Sequence, residues 1–144
     1  RLNYAIDLRY GVLHDIAMQI KKSEPVCDTV PHFNAIWQGD ANDYAIRALE
    51  TASAPATILN VTGPETISTR YAATELARQM KMPLSFTGTE GGCAYLNNAA
   101  KLHGMMGYPQ VSLAQMISWQ AQWIANGGES LGKQTHFEVN NGKF

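Results

Sequence analysis

The sequence predicts an α/β fold in which short strands alternate with amphipathic helices. Residues 1–6 read as a strand, residues 12–22 carry apolar side chains at helical spacing, and residues 56–63 form the strongest strand pattern. Strands that alternate with helices in this order are typical of a parallel sheet. With 144 residues, of which 45% are hydrophobic, the chain has the size of one globular domain.

Two further helices are predicted from a capping residue that stands just before an apolar stripe. Ser68 precedes the stripe of residues 69–80, and Ser112 with Gln115 forms a capping box before residues 113–126. Each serine can accept a bond from a backbone N–H group of the first turn, which has no partner within the helix. The stripe of the first of these helices consists of Ala72, Ala73, Leu76, Ala77 and Met80.

The other elements are predicted from shorter patterns. Residues 32–37, 83–88 and 135–139 have the composition of strands, and residues 42–52 have the spacing of a helix. We expect this helix to bury Ala45, Leu49 and Ala52.

Composition and charge argue against several kinds of partner. Eleven basic and twelve acidic residues give a formal net charge of −1, and no basic run exists, so neither nucleic acid nor an anionic membrane surface is an expected partner. No apolar run is long enough to span a bilayer. Cys27 and Cys93 lie far apart and have no CxxC partner, which predicts a reduced, cytoplasmic protein.

Residues 83–107 look at first like the start of a dinucleotide-binding domain. Gly88, Gly91 and Gly92 stand between a strand pattern and an alanine-rich helical segment, where a pyrophosphate loop would be. The third glycine position holds Ala94, and no later strand ends in an acidic residue that could bind a ribose. A surface turn between a strand and a helix is therefore favoured over a cofactor loop. No dinucleotide is expected to bind to this chain alone.

Other catalytic patterns lack their structural context. Residues 128–132, GESLG, match the GxSxG pattern, but a hydrolase elbow has a strand before the serine and a helix after it, and neither is predicted around Ser130. The histidines have no spacing that would bind a metal. No tyrosine has a lysine four residues later, which is the acid–base pair of the short-chain reductases. The sequence thus predicts no catalytic and no metal-binding residue in this chain.

Four stretches form an ordered set that matches one family. They are residues 1–4, 33–50, 58–77 and 97–124, the last of which carries a lysine, a glycine–aromatic pair and a final helix. Together they resemble the C-terminal portion of extended short-chain dehydrogenase/reductase proteins, the NAD-dependent epimerase/dehydratase family.

The resemblance implies the last strands and helices of a Rossmann-like parallel sheet together with a small α/β substrate-binding subdomain. Residues 1–144 would form a single C-terminal, substrate-side region, with the N-terminal dinucleotide-binding part outside this sequence, since the chain begins at Arg1 within a strand pattern. The longer protein would use NAD or NADP and act on a sugar-like or nucleotide-linked small molecule as an epimerase, a dehydratase or a reductase. This chain alone is expected to be inactive.

The resemblance also implies a substrate cleft lined by Asn3, Tyr4, Arg9, Trp37 and, less directly, Asn98. Asn3 would donate a hydrogen bond to a substrate oxygen, and Arg9 would pair with an anionic group. Each of three of these residues also has a structural interpretation in place of substrate binding. Arg9 would otherwise be a surface arginine, Asn3 a capping residue and Trp37 a core residue.

The chain departs from the family at informative positions. Phe33 stands where nucleotide-sugar epimerases commonly have an arginine that binds the substrate diphosphate, and Asn98 stands where relatives often have aspartate. Loss of a bidentate phosphate donor weakens the case for a nucleotide diphosphate substrate. A non-catalytic ligand-sensing or scaffold protein with the same fold is therefore the alternative.

Self-association is a further expectation. If residues 1–6 and 56–63 belong to a larger sheet, a strand edge and a helix-packing face are uncovered in this chain. Unpaired edges and large apolar patches favour association. We therefore expect the chain to associate with itself through that edge.

Overall fold

A computed structural model describes residues 1–89 and 91–139 of the chain. The elements in chain order are β1 (Tyr4–Ile6), α1 (Val12–Lys21), β2 (Val26–Cys27), β3 (His32–Phe33), β4 (Ala35–Trp37), α2 (Gln38–Arg47), β5 (Ile67–Ser68), α3 (Thr69–Met80), β6 (Phe86–Thr87), β7 (Ala94–Tyr95), α4 (Ala100–Met106) and α5 (Leu113–Ala125). A 3₁₀ turn, Ala48–Thr51, follows α2.

The helices α1, α3 and α5 pack against one another and enclose the main hydrophobic core. The predicted apolar face of α1 is buried, and so is all but the last residue of the stripe on α3. Both predicted caps are present: the Ser68 hydroxyl accepts a bond from the Tyr71 N–H at 3.3 Å, and Ser112 and Gln115 form the full capping box. Among the helices that the structure describes, none has the length and apolar character needed to cross a membrane.

The strands are short and fall into small separate sheets. β1 pairs with β4 in parallel, with Tyr4 opposite Ala35 and Ile6 opposite Trp37. β3 lies between β5, which is antiparallel to it, and β7, which is parallel, while β2 pairs with β6 in parallel. The predicted strand over residues 32–37 therefore divides between two sheets.

Residues 56–63 do not form the predicted strand. Val61 makes a single bridge, in which its N–H donates to the Arg1 carbonyl at 2.8 Å and its carbonyl accepts from the Asn3 N–H at 3.1 Å. Ile58, in the middle of the pattern, is 59% exposed. Strand propensity acts through packing on neighbouring strands, and in the described part of the chain the β-bridge that this segment makes is the one to Leu2.

Helix α2 buries a different face from the one predicted. The expected burial of Ala45, Leu49 and Ala52 is wrong, because the two alanines are exposed and Leu49 is 75% exposed. The Tyr44 phenol donates to the Gly107 carbonyl at 2.7 Å, which turns that side of the helix inwards. The 3₁₀ turn has three residues per turn, so Leu49 and Ala52 do not fall on the face that a continued α-helix would bury.

Residues 135–139 do not form a strand either. Thr135 donates to the Asp15 carboxylate of α1 from its N–H at 2.7 Å and from its hydroxyl at 2.6 Å. Phe137 is 2% exposed and belongs to the main core. Side-chain bonds and one buried ring thus hold this segment across α1.

Candidate functional site

A cluster of asparagine side chains lies where β3, β4 and β7 meet. Asn34, between β3 and β4, is only 6% exposed. Its side-chain oxygen accepts from the Asn3 amide at 2.6 Å and from the Asn97 N–H at 3.0 Å, and its amide donates to the Asn97 carbonyl at 3.2 Å. Its own N–H donates to the Tyr95 carbonyl at 3.1 Å. Asn34 therefore ties the start of the chain to the segment around β7.

Tyr4 lies beside this asparagine cluster and packs against two other aromatic rings. Its ring centroid is 6.2 Å from those of Phe33 and Tyr95, both in edge-to-face geometry. Burial, with a smaller contribution from Tyr95, raises the pKa of the Tyr4 phenol to about 12. Phe33 stands where the family that the sequence resembles commonly has a phosphate-binding arginine. It is 1% exposed, so this position faces the core.

A cleft of about 470 Å³ adjoins the asparagine cluster. Asn34, Asn97 and Asn98 line it together with the rings of His103 and Tyr108. The two ring centroids are 5.0 Å apart, and Tyr108 is 69% exposed. An aromatic face is therefore presented to solvent next to a group of amides.

Asn98 also has a structural role at the edge of this cleft. Its side-chain oxygen accepts from the Ala100 N–H at 2.9 Å, where α4 begins. Its carbonyl accepts from the Asn60 amide at 2.9 Å. These bonds fix the position of Asn98 relative to α4 and to the segment beside β1.

Arg9 and Trp37 lie outside this cleft. Arg9 forms an exposed ion pair with Asp7, with 3.1 Å between Nε and Oδ1, and its hydrogen bond lowers the pKa of the Asp7 carboxyl. Trp37 ends β4, and its ring centroid is 5.2 Å from that of Trp119 on α5. The predicted residues thus separate into two groups. Asn3, Tyr4 and Asn98 lie around the asparagine cluster, whereas Trp37 lies at the carboxyl end of β4 and Arg9 follows the carboxyl end of β1.

The cleft offers neutral hydrogen-bonding groups and an aromatic face. Side-chain amides both donate and accept, which suits hydroxyl groups, and an aromatic ring can stack on the apolar face of a sugar or a base. Among the described residues that line it, none carries a carboxylate, an ammonium or a guanidinium. In the same described ranges, no group of histidine, cysteine and acidic residues has a metal-binding arrangement. This geometry can recognise a polar, uncharged part of a ligand.

The glycine-rich segment connects two strands, so the predicted turn into a helix is wrong. It runs from β6 to β7, and α4 begins only at Ala100. Gly88 has a φ of 94°, and a Cβ there would lie 2.9 Å from the Thr29 side chain. A Cβ at Gly92 would meet nothing within 4 Å, so that glycine provides no close approach. Without a helix N-terminus behind the glycines, these residues do not fit a dinucleotide pyrophosphate.

Sequence reasoning did not find the centre of the asparagine cluster. Asn34 stands in the middle of a strand pattern, where an asparagine is disfavoured unless its amide bonds are satisfied locally. The adjacent Asn97 and Asn98 repeat the same signal before a helix. An asparagine inside a strand pattern indicates a buried amide whose hydrogen bonds are satisfied. Its partners, Asn3 and Asn97, are 31 and 63 residues away and could not be predicted from the sequence.

No protein-family model matches this chain, and no curated protein matches it. Among solved structures, it is similar to the Bordetella bronchiseptica enzyme WbmG in complex with NAD, with a TM-score of 0.70 and 16% identity over 94% of this chain and 45% of that chain. The UDP-glucose 4-epimerase of Thermus thermophilus in complex with NAD gives a TM-score of 0.66 and 17% identity, covering 88% of this chain and 44% of that chain. A UDP-galactose 4-epimerase gives a TM-score of 0.63 and 20% identity, covering 88% of this chain and 43% of that chain.

These likenesses concern the fold. The chain spans less than half the length of each of these proteins. The predicted α/β class is confirmed: the structure matches a fragment of a Rossmann-like epimerase fold, and its neighbours include NAD-bound enzymes.

Proposed function

We propose that this chain is the substrate-binding, C-terminal region of an NAD(P)-dependent epimerase, dehydratase or reductase that acts on a sugar-like or nucleotide-linked substrate. The longer protein would carry the dinucleotide and the acid–base residues, while this chain would hold the substrate. Both cysteines are free thiols, in keeping with the cytoplasmic location that we propose.

The observation that carries this proposal is the neutral cleft beside the asparagine cluster. Asn98, singled out by the family resemblance, lines it next to Asn97 and the exposed ring of Tyr108. Amides beside an aromatic face suit the hydroxyls and apolar face of a sugar. Asn3 and Tyr4 support this cleft through Asn34 and Tyr95, and Arg9 and Trp37 are proposed as a separate contact region for a more distant part of the substrate.

Substitution of Tyr108 tests the cleft. The chain would be titrated with UDP-glucose, UDP and glucose by calorimetry, and Tyr108→Ala should weaken binding roughly fivefold to tenfold because a stacking face is lost. Tyr71→Ala is the matched control, since Tyr71 is 53% exposed on α3 and lies outside the cleft. Absence of binding to all three compounds, or equal affinity in Tyr108→Ala, would contradict the proposal.

A second titration separates the enzyme from the alternative, a non-catalytic sensor or scaffold. The longer protein should bind NAD(H) or NADP(H), as measured by the quenching of protein fluorescence or by calorimetry. If neither dinucleotide binds while a sugar nucleotide does, the scaffold interpretation replaces the enzyme.

We further propose that the isolated chain self-associates. Leu2, which forms the bridge with Val61, is 58% exposed, Ile58, three residues before Val61, is 59% exposed, and Ile46 on α2 is 69% exposed. Apolar side chains at an open edge favour pairing between copies. Light scattering should give a mass that grows with protein concentration, and a constant monomer mass at millimolar concentration would be inconsistent with this.

A further inference from the structure

Ser130, in the GESLG run that follows α5, lies against a buried histidine from α1. The Ser130 hydroxyl is 2.9 Å from Nε2 of His14, although the two residues are 116 positions apart in the chain. His14 is 1% exposed, whereas Ser130 is exposed. The hydroxyl of an exposed serine thus contacts a shielded imidazole, which is the arrangement of a nucleophile and its base.

The protonation of the imidazole follows from its other partner. Nδ1 of His14 lies 2.8 Å from the Leu8 carbonyl, which can only accept a hydrogen bond, so Nδ1 carries the proton. Gln120 donates to the same carbonyl at 2.9 Å and holds it in place. In the tautomer that carries its proton on Nδ1, Nε2 is an acceptor, and the Ser130 O–H can donate to it. A backbone carbonyl here orients the ring as a carboxylate does in a catalytic triad.

The backbone on both sides of Ser130 is anchored. The Trp123 indole donates to the Glu129 carbonyl at 2.9 Å, and the Leu131 N–H donates to the Arg9 carbonyl at 3.1 Å. Two residues after the serine, the Gly132 N–H donates to the Ser130 hydroxyl at 3.1 Å. The hydroxyl is thus held in one position before any ligand arrives, which is what preorganised catalysis requires.

A cavity of about 250 Å³ lies beside the pair and is lined by both Ser130 and His14. Met18 contributes an apolar side chain to it. The charged residues that line it are of both signs: Lys22, Lys133, Asp15, Glu24 and Glu138. This volume admits a small, uncharged acyl group.

We propose that Ser130 and His14 form a nucleophile–base pair that reacts with small carboxylic esters. His14 Nε2 takes the hydroxyl proton as Ser130 Oγ forms a bond to the ester carbonyl carbon. The carbon–oxygen bond to the leaving alcohol then breaks, and the alcohol departs with that proton. Water then gives a proton to the same imidazole and bonds to the acyl carbon, the bond from that carbon to Ser130 Oγ breaks, and the imidazolium returns the proton to Oγ, which releases the carboxylic acid and regenerates Ser130. This activity is independent of the sugar-binding function proposed above.

This arrangement differs from a hydrolase elbow, which needs a strand before the serine and a helix after it. Here Ser130 follows α5, and in the described residues after it no helix or strand is present. The Ser130–His14 bond would also exist if it served only to anchor the segment, so the test measures reactivity as well as stability.

The experiment uses diisopropyl fluorophosphate as a probe of serine nucleophilicity and 4-nitrophenyl acetate as the ester. In the folded chain, peptide mass spectrometry should find Ser130 modified at least about tenfold faster than any other serine, since general-base assistance contributes at least that much. Ser130→Ala should lose the modification and the corresponding ester hydrolysis while staying folded by circular dichroism, with a lowered melting temperature because Nε2 of the buried His14 loses its partner. Ser53→Ala is the control, because Ser53 is exposed and donates to a carbonyl rather than to a histidine.

Two further measurements keep the result interpretable. Wild-type chain unfolded in urea should lose the selective labelling of Ser130, since unfolding separates it from His14 without a substitution. His14→Gln, if folded by circular dichroism, should slow the labelling by at least about tenfold. Equal labelling of Ser130 and other serines in the folded wild type, or hydrolysis unchanged in Ser130→Ala, would overturn the proposal and leave the bond as an anchor alone.

Discussion

Two regions of the molecule are stabilised in different ways. One is the helical layer formed by α1, α3 and α5, and the other is the asparagine cluster where β3, β4 and β7 meet. The helical layer buries mainly apolar side chains, and two of its helices, α3 and α5, begin with local side-chain caps. In the asparagine cluster, Asn34 and its partners satisfy one another and the backbone, over sequence separations of 31 and 63 residues. The first region depends on area removed from water, and the second on hydrogen bonds that water would otherwise make.

The two kinds of stabilisation tolerate change to different degrees. Apolar packing is non-directional, so conservative changes of shape in the helical layer are absorbed in part by the neighbours. A buried amide has fixed donors and acceptors, so the loss of one group strands its partners. The candidate cleft adjoins the second, less tolerant region.

The largest expected effect is a cavity in the helical layer. Leu76 on α3 is fully buried, so Leu76→Ala should lower the free energy of unfolding by about 3 kcal/mol. The matched control is Leu49→Ala, which should cost less than about 0.5 kcal/mol because Leu49 is 75% exposed. Urea unfolding followed by circular dichroism measures both, and equal losses would mean that α3 does not pack as described.

An intermediate effect is expected in the asparagine cluster. Asn34→Ala removes the acceptor of the Asn3 amide and of the Asn97 N–H, which should cost about 2 kcal/mol because those groups stay partly buried. Asn42→Ala on the exposed face of α2 is the control. If the two variants unfold at the same urea concentration, the cluster is stabilised by water rather than by its own bonds.

The smallest effect concerns Tyr4, which lies between the two regions. Burial raises its pKa from 10.0 to about 12, so the folded state disfavours the phenolate. The stability that comes from burying the neutral Tyr4 phenol is fully present below pH 10, and it is lost as the pH rises through the folded-state pKa of about 12. Between pH 10 and 12, the wild-type chain should therefore lose roughly 1 kcal/mol of unfolding free energy that Tyr4→Phe keeps. This figure is reduced because the Tyr4 ring is only partly buried. Unfolding curves for both proteins at pH 9, 10 and 11 measure it. A constant difference across these values would show that Tyr4 titrates normally.

The same contrast explains how much could be predicted from the sequence. The three packed helices and their caps follow from spacings of three and four residues and from Ser68 and Ser112, all of which are local signals. The strands of two or three residues have no such signal. Residues 56–63 have strand composition but make only one bridge, and the glycine-rich segment leads into β7 instead of a helix.

The candidate site was predictable only in part. Asn3, Tyr4 and Asn98 lie around the asparagine cluster, whereas Trp37 lies at the carboxyl end of β1 and Arg9 follows that end. Asn34, which joins the cluster, was not foreseen, because its role depends on partners 31 and 63 residues away. Neighbours in space at such separations leave no periodic trace in the sequence.

The segment after α5 has a consequence for the order in which the chain assembles. His14 and Asp15 belong to α1, yet their partners Ser130 and Thr135 are 116 and 120 residues later in the chain. Phe137 completes the main core from the same late segment. A nascent chain that has only reached α5 would hold an open core with an unpaired carboxylate and imidazole. Folding of this unit should therefore not be complete until the segment after α5 has emerged, and removing that segment should destabilise α1.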